Sequence, residues 1–177
     1  PDRALARTVR VVPLTSEAAL RMANWARENK KAVHDLSDGK LGYFHMPSWG
    51  NPDIQTFFRG FFGTRARPGA IIDQRHNGGG ITPDFFIEML TRRPLYYYMF
   101  RDGDELAIPV NGRDQGTTVL IINEGNGSAA ETFAMMFQLA KVGPIVGHRT
   151  SGGGIGPYGA SSRPPALVDG GRLPIPS

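Results

Sequence analysis

Thr118-Val-Leu-Ile-Ile-Asn-Glu-Gly-Asn-Gly-Ser-Ala-Ala-Glu131, continued by the apolar-periodic run from Thr132 to Lys141, reads as a buried strand, a glycine-bracketed turn and a helix opening at Ser128. A serine on a tight strand-to-helix turn exposes its hydroxyl while the amides around it point at a substrate oxygen. Ser128 is therefore the leading candidate nucleophile. It has a structural rival, because Ser128-Ala-Ala-Glu131 also matches a capping box, in which serine and glutamate satisfy each other's end of the helix. Gly125, Gly127, Ala129 and Ala130 favour the chemical reading, since small neighbours leave the hydroxyl uncovered and let an acyl group approach the backbone.

Outward from this segment the chain alternates strands and helices. Leu41 to Met46 and Gly69 to Asp73 read as strands, Ile54 to Phe62 and Thr82 to Thr91 as helices, and Leu95 to Phe100 and Pro144 to Gly147 as further strands. Between Phe100 and Gly116 the sequence is polar and irregular, and after Thr150 it turns rich in Gly, Pro and Ser. Repeated βα units with short connections imply a mainly parallel sheet with helices packed on it, an α/β fold. Upstream, Arg7 to Leu14 alternates polar and β-branched residues as a short edge strand would, and Ser16 opens a helix that runs to Gly39.

A second segment, Asp73-Gln-Arg-His-Asn-Gly-Gly-Gly80, lies between a strand and a helix. Consecutive glycines there can turn successive N–H groups toward an anion or oxyanion, or simply form a flexible turn. A phosphate-binding loop is excluded because no Gly-Lys-Ser/Thr exists in the chain. Gly154-Ile-Gly-Pro-Tyr-Gly159 fits a dinucleotide fingerprint only formally, since Pro157 and Tyr158 stand where a helix would open. The candidate bases are His34, His45, His76 and His148, and the sequence does not show which of them reaches Ser128. None has metal-ligand spacing, so neither a metal nor another cofactor is expected.

Composition sets outer limits. The 177 residues, 40% apolar and 20% charged, suffice for one domain-sized core. The net charge of +4 is spread among acids, with Arg65-Ala-Arg67 and Arg92-Arg93 the small clusters, which argues against nucleic-acid binding. No apolar run approaches the ~18 to 20 residues of a membrane span. With no cysteine, disulfides and thiolate chemistry are excluded. Pro1-Asp-Arg-Ala4 offers neither an initiating Met nor a signal-like stretch, so the chain reads as a piece of something longer.

Together, Gly42 to Pro47, Ile72 to Gly80, Asn123 to Glu131 and Gly147 to Gly154 resemble the catalytic domain of the tail-specific (carboxyl-terminal processing) serine proteases, and more closely their tricorn protease branch. The resemblance implies a ClpP/crotonase-like core of repeated ββα units, with residues 1–14 ending a PDZ-like domain, 15–40 a connector helix, and 41–177 a C-terminally truncated catalytic domain. It implies Ser128 as the nucleophile that forms an acyl-enzyme, and Ala129 with Gly78 or Gly79 as the oxyanion-hole donors. The tail-specific branch carries a lysine where this chain has Gly153, so a Ser/Lys dyad is not expected. The tricorn branch takes its histidine and glutamate from regions upstream and downstream, which implies that the base comes from outside this chain and that the isolated chain is inactive.

Peptides or unfolded proteins are the implied substrates, and a homo-oligomer the implied full-length assembly. The tricorn resemblance points to the cytoplasm, with export left open. Two alternatives share the fold: a thioester enzyme of the crotonase type, and a non-catalytic hydrophobic-ligand or peptide-binding module whose pocket would draw on Phe57, Phe58, Phe61, Phe62, Phe85, Phe86 and Tyr96 to Tyr98, rings that read first as core packing of helices on the sheet.

Overall fold

The computed structural model describes residues 9–80, 83–103, 105–108 and 116–154. Its elements are α1 (Ala18–Leu36), β1 (Leu41–His45), α2 (Asn51–Thr64), β2 (Gly69–Asp73), α3 (Asp84–Thr91), β3 (Tyr96–Met99), β4 (Glu105–Ile108), β5 (Thr117–Ile122), α4 (Ala129–Leu139) and β6 (Ile145–Gly147). Strands β1, β2, β5 and β6 pair in parallel in that spatial order, as expected from the βα alternation. Because the order never reverses, right-handed crossovers place α2, α3 and α4 on one face of the sheet.

That face holds the core. Phe44, Ile72 and Leu120 project from the strands into a cluster with Trp49, Phe57, Phe61, Phe86, Phe133 and Phe137. Trp49 sits at its centre, with its ring centroid 4.4 Å from Phe133, 4.9 Å from Phe86 and 6.2 Å from Phe57. Of the phenylalanines spaced along α2, Phe57 and Phe61 are buried and serve packing, whereas Phe62, like Phe85 of α3, remains about half exposed.

The opposite face carries a thinner cover. Helix α1 is ended by Asp38 and Gly39, both at positive φ, and none of its residues is fully buried. It is held to the sheet through Trp25, whose ring lies 4.6 Å beneath the Arg75 guanidinium and meets the edges of His45 and His76 at 5.2 and 5.7 Å. Arg75 in turn pairs at 2.6 Å with Asp73, a carboxylate with no exposed surface that also accepts the Tyr43 hydroxyl at 2.7 Å. Further along this face Ile71, Val119 and Ile121 are only partly covered.

Three expectations are corrected. Residues 9–14 form no strand and are exposed, because no described segment offers them a partner and an unpaired strand leaves its backbone groups unmet. Residues 105–108, expected to be irregular, form β4, which pairs with β3 as a separate antiparallel hairpin. Leu95 to Phe100 is therefore no part of the main sheet, and Tyr96, Tyr97 and Tyr98 stay half exposed on the hairpin instead of joining the core. Arg7, Thr8 and residues 155–177, with the interrupted strand expected at Leu173, lie outside the described residues.

Phe133→Ala is expected to lower unfolding stability by about 3–5 kcal/mol, because this ring has no exposed surface and the packing around it cannot collapse. Urea denaturation checks it. A second expectation concerns pH. Burial, reinforced by the neighbouring Asp73 charge, raises the Tyr43 phenol above its ordinary value. The folded chain therefore keeps this proton when the unfolded chain has lost it, so the contribution is complete below about pH 10 and falls as pH climbs further. Urea midpoints measured from roughly pH 8 to about 11 are expected to fall less steeply in Tyr43→Phe than in the parent.

Candidate active site

Strands β2 and β5 are neighbours, so the turns that leave their carboxyl ends, residues 74–80 and 123–128, emerge side by side. Three carboxamides with no exposed surface, Gln74, Asn77 and Asn126, lock the turns together. The Asn126 amide donates to the Gln74 carbonyl and to the Asn77 carbonyl at 3.2 Å, and its oxygen accepts the Asn123 N–H at 2.8 Å. Gln74 donates across to the Ala130 carbonyl at 2.9 Å, in the first turn of α4. Asn77 donates to the Met46 carbonyl at 3.0 Å, and the Gly127 N–H donates to the Asn77 carbonyl at 3.2 Å.

This scaffold sets Ser128 in an unusual backbone conformation. Its φ of 50° and ψ of −122° correspond to the first central position of a type II′ turn, where glycine is the comfortable residue. A non-glycine residue held there stores on the order of 1–3 kcal/mol of strain, and such residues cluster at functional sites. Ser128 itself is exposed, and Ala129 and Ala130 behind it are buried.

The glycine turn faces it at contact distance. A β-carbon built on Gly79, whose φ is +110°, would stand 2.7 Å from the Ser128 β-carbon and 2.9 Å from the Ala129 nitrogen, so any larger residue would collide with the serine turn. Gly80, at φ +147°, is pressed as closely against the Trp49 backbone. The Trp49 N–H also donates to the Gly79 carbonyl at 2.9 Å, which ties the central aromatic of the core to this turn. Ser128, Ala129, Gly78 and Gly79 are thus brought together.

Their amides are not equivalent. The Gly79 N–H is engaged by the Asn77 side-chain oxygen at 2.8 Å, whereas the amides of Gly78 and Ala129 have no hydrogen-bond partner among the described residues. Two adjacent free donors beside a hydroxyl are the components of an oxyanion site.

The capping reading is half realised. The Glu131 carboxylate accepts the Ser128 N–H at 3.1 Å. Ser128 and Glu131 face each other as a capping box, but the hydroxyl makes no cap hydrogen bond, and the Glu131 amide donates at 3.0 Å to the Ser128 carbonyl. The other Glu131 oxygen accepts the Gly152 N–H at 2.6 Å, so the same carboxylate holds the loop after β6.

The four histidines are engaged elsewhere, and none hydrogen-bonds Ser128. His45 Nε2 lies 2.9 Å from the Arg75 carbonyl, and His76 packs on Trp25 with its ring 3.3 Å from the Asn123 amide. His148 pairs at 3.4 Å with Glu124, whose carboxyl is held below its ordinary value by its own backbone N–H and by the His148 charge. His34 lies against Gly39 at the end of α1. Among the described residues no group of three His, Asp or Glu side chains could hold a metal ion, and no helix is long and apolar enough to cross a membrane.

The buried amides are what sequence reasoning missed. Gln74, Asn77, Asn123 and Asn126 stood inside the two motifs as turn residues; the available signal was four carboxamides beside strands that are otherwise apolar. Asn126→Ala leaves the buried Asn123 N–H without its partner and removes one of the two hydrogen bonds accepted by each of the Gln74 and Asn77 carbonyls. It is expected to lower stability by about 2–4 kcal/mol, seen as a lower urea midpoint with the denaturant slope unchanged.

Comparison with known proteins agrees with this geometry. The chain is 34% identical over 170 residues to a tricorn protease homolog of Streptomyces coelicolor, covering 96% of this chain and 14% of that relative. It is 34% identical over 143 residues to the tricorn protease of Thermoplasma volcanium, covering 81% of this chain and 14% of that protein. It therefore spans about one seventh of the length of these relatives. The crystal structure of the tricorn protease superimposes with a TM-score of 0.74 at 32% identity, over 85% of this chain and 15% of that one. Residues 40–161, which include both turns, match the model of peptidase family S41, and the chain belongs to that family.

Proposed function

We propose that this chain carries the nucleophile and oxyanion hole of a serine peptidase. Ser128 attacks the scissile carbonyl, and the amides of Ala129 and Gly78 receive the oxyanion. The observation that carries this reading is the contact between the strained Ser128 turn and the glycine turn, which sets an exposed hydroxyl beside two unengaged amides. Attack forms the Ser128 ester and releases the amine once its nitrogen is protonated; water then cleaves the ester to regenerate the hydroxyl. Removing one oxyanion donor of such a site typically costs about 3–4 kcal/mol of transition-state stabilisation.

A serine hydroxyl stays protonated at neutral pH without a base. Among the described residues no histidine, lysine or carboxylate hydrogen-bonds the Ser128 hydroxyl, which supports a base supplied from outside this chain, as in the tricorn branch. The parallel sheet with its helices on one face is consistent with a ClpP/crotonase-like core over 41–177, preceded by a connector helix at 15–40 and the end of a PDZ-like domain at 1–14. The substrates of this reading are peptides or unfolded proteins, and the full-length assembly is a homo-oligomer. Phe57, Phe58, Phe61, Phe62, Phe85 and Phe86 line neither the groove between α1 and α2 nor the hollows beside α1 and α4, so those cavities do not favour the hydrophobic-carrier alternative.

Treatment of the full-length protein with a fluorophosphonate, followed by peptide mapping, is expected to find the adduct on Ser128 and none in Ser128→Ala. Adducts on other serines alone would overturn the assignment. The 177-residue chain is expected to leave a fluorogenic peptide intact; turnover lost in Ser128→Ala would show that the base lies within it.

A further inference from the structure

Among the described residues strand β1 is an edge of the sheet, and its outer side opens into a groove of about 460 Å³ between α1 and α2. The Met46 N–H donates inward to the Asp73 carbonyl, so strand alternation points the main-chain groups of Gly42 and Phe44 toward β2 and those of Tyr43 and His45 away from it. Those outward groups have no hydrogen-bond partner among the described residues, although Tyr43 is only 4% exposed. Sheltered main-chain groups are rarely left unpaired in a folded protein.

The rim of the groove has one sign of charge. Arg27, Lys30 and His34 line it from one side of α1, Arg59 and Arg67 line it from α2 and the turn after it, and no carboxylate does. Arg27, Lys30 and Arg59 form no ion pair among the described residues. At its far end the groove reaches Pro47, two residues before Trp49, whose N–H holds the Gly79 carbonyl.

We infer that this groove binds an extended acidic peptide, which adds as a strand to the free edge of β1 and sets its carboxylates against the Arg27, Lys30 and Arg59 rim. Strand addition supplies affinity through the main chain, and the rim supplies selection by charge. As an exosite leading toward the glycine turn, the groove rests on the peptidase reading; as a binding site it does not.

The test uses fluorescence anisotropy on Ser128→Ala protein with a labelled peptide of about eight residues rich in Asp and Glu. Saturable binding is expected, about tenfold weaker for the Asn/Gln analogue and for the double variant Arg27→Glu/Lys30→Glu. Binding should be lost when alternate peptide nitrogens are methylated, and should weaken with salt. Circular dichroism checks that the exposed rim variants remain folded. Equal affinity for acidic and neutral peptides, binding indifferent to the rim variants, or binding that survives N-methylation would each overturn the inference. Fluorophosphonate labelling of Ser128 in the full-length protein with the rim intact or reversed reports on the peptidase reading separately.

Discussion

The buried carboxamides of Gln74, Asn77 and Asn126 are the constraint on which the site depends. Two strand-end turns in a parallel sheet come near each other by topology alone, yet topology leaves their separation and tilt free. The Asn126 amide removes that freedom by meeting the backbone of both turns, while Gln74 anchors the first turn of α4 and Asn77 reaches back to the end of β1. In a low-dielectric interior each such bond is strong and each omission is costly, so these bonds resist a shift of one turn against the other. That arrangement places the Ser128 and Gly79 turns in contact.

Strain and support are balanced at the serine. The backbone angles of Ser128 are ones an L-residue avoids, and they turn its side chain outward from the start of α4. The Gly127 amide bound to Asn77, the Glu131 carboxylate on the Ser128 amide and the wall formed by Gly79 hold it there. Nucleophile and helix cap, which compete as readings of Ser128-Ala-Ala-Glu131, thus prove compatible. Glu131 secures the backbone of the serine, and among the described residues the hydroxyl makes no hydrogen bond.

Much of this was legible in the sequence wherever structure follows from local chemistry. The β-branched run ending at Ile122, the glycines around Asn126 and the apolar period after Ser128 each specify their own segment, and β2 was readable from Gly69 to Asp73 for the same reason. What depends on distant partners was not legible. Glu105 to Ile108 is a different case, since Asp102-Gly103 before it is a local hairpin signal that went unread, and the segment becomes a strand by pairing with β3. Residues 9–14 carry the alternation and lack a partner among the described residues. Histidines close to the glycine segments in sequence, such as His76 and His148, are drawn to Trp25 and Glu124 instead of the serine. That Asn77 folds back onto the Gly79 amide was likewise not legible.

Strand β6 is three residues long and, among the described residues, forms the far edge of the sheet, joined to β5 alone. The loop that follows it, fastened by the Ser151 amide to the Asn126 carbonyl and by the Gly152 amide to Glu131, flanks the serine on that side. The other flank is rooted in β2, an interior strand paired on both sides. The two banks of the hollow therefore differ in how readily they fray: the edge bank can detach by local opening while the interior bank stays fixed. Local opening of the edge bank leaves the Ser128 turn and the Gly79 turn, which both leave interior strands, in register with each other.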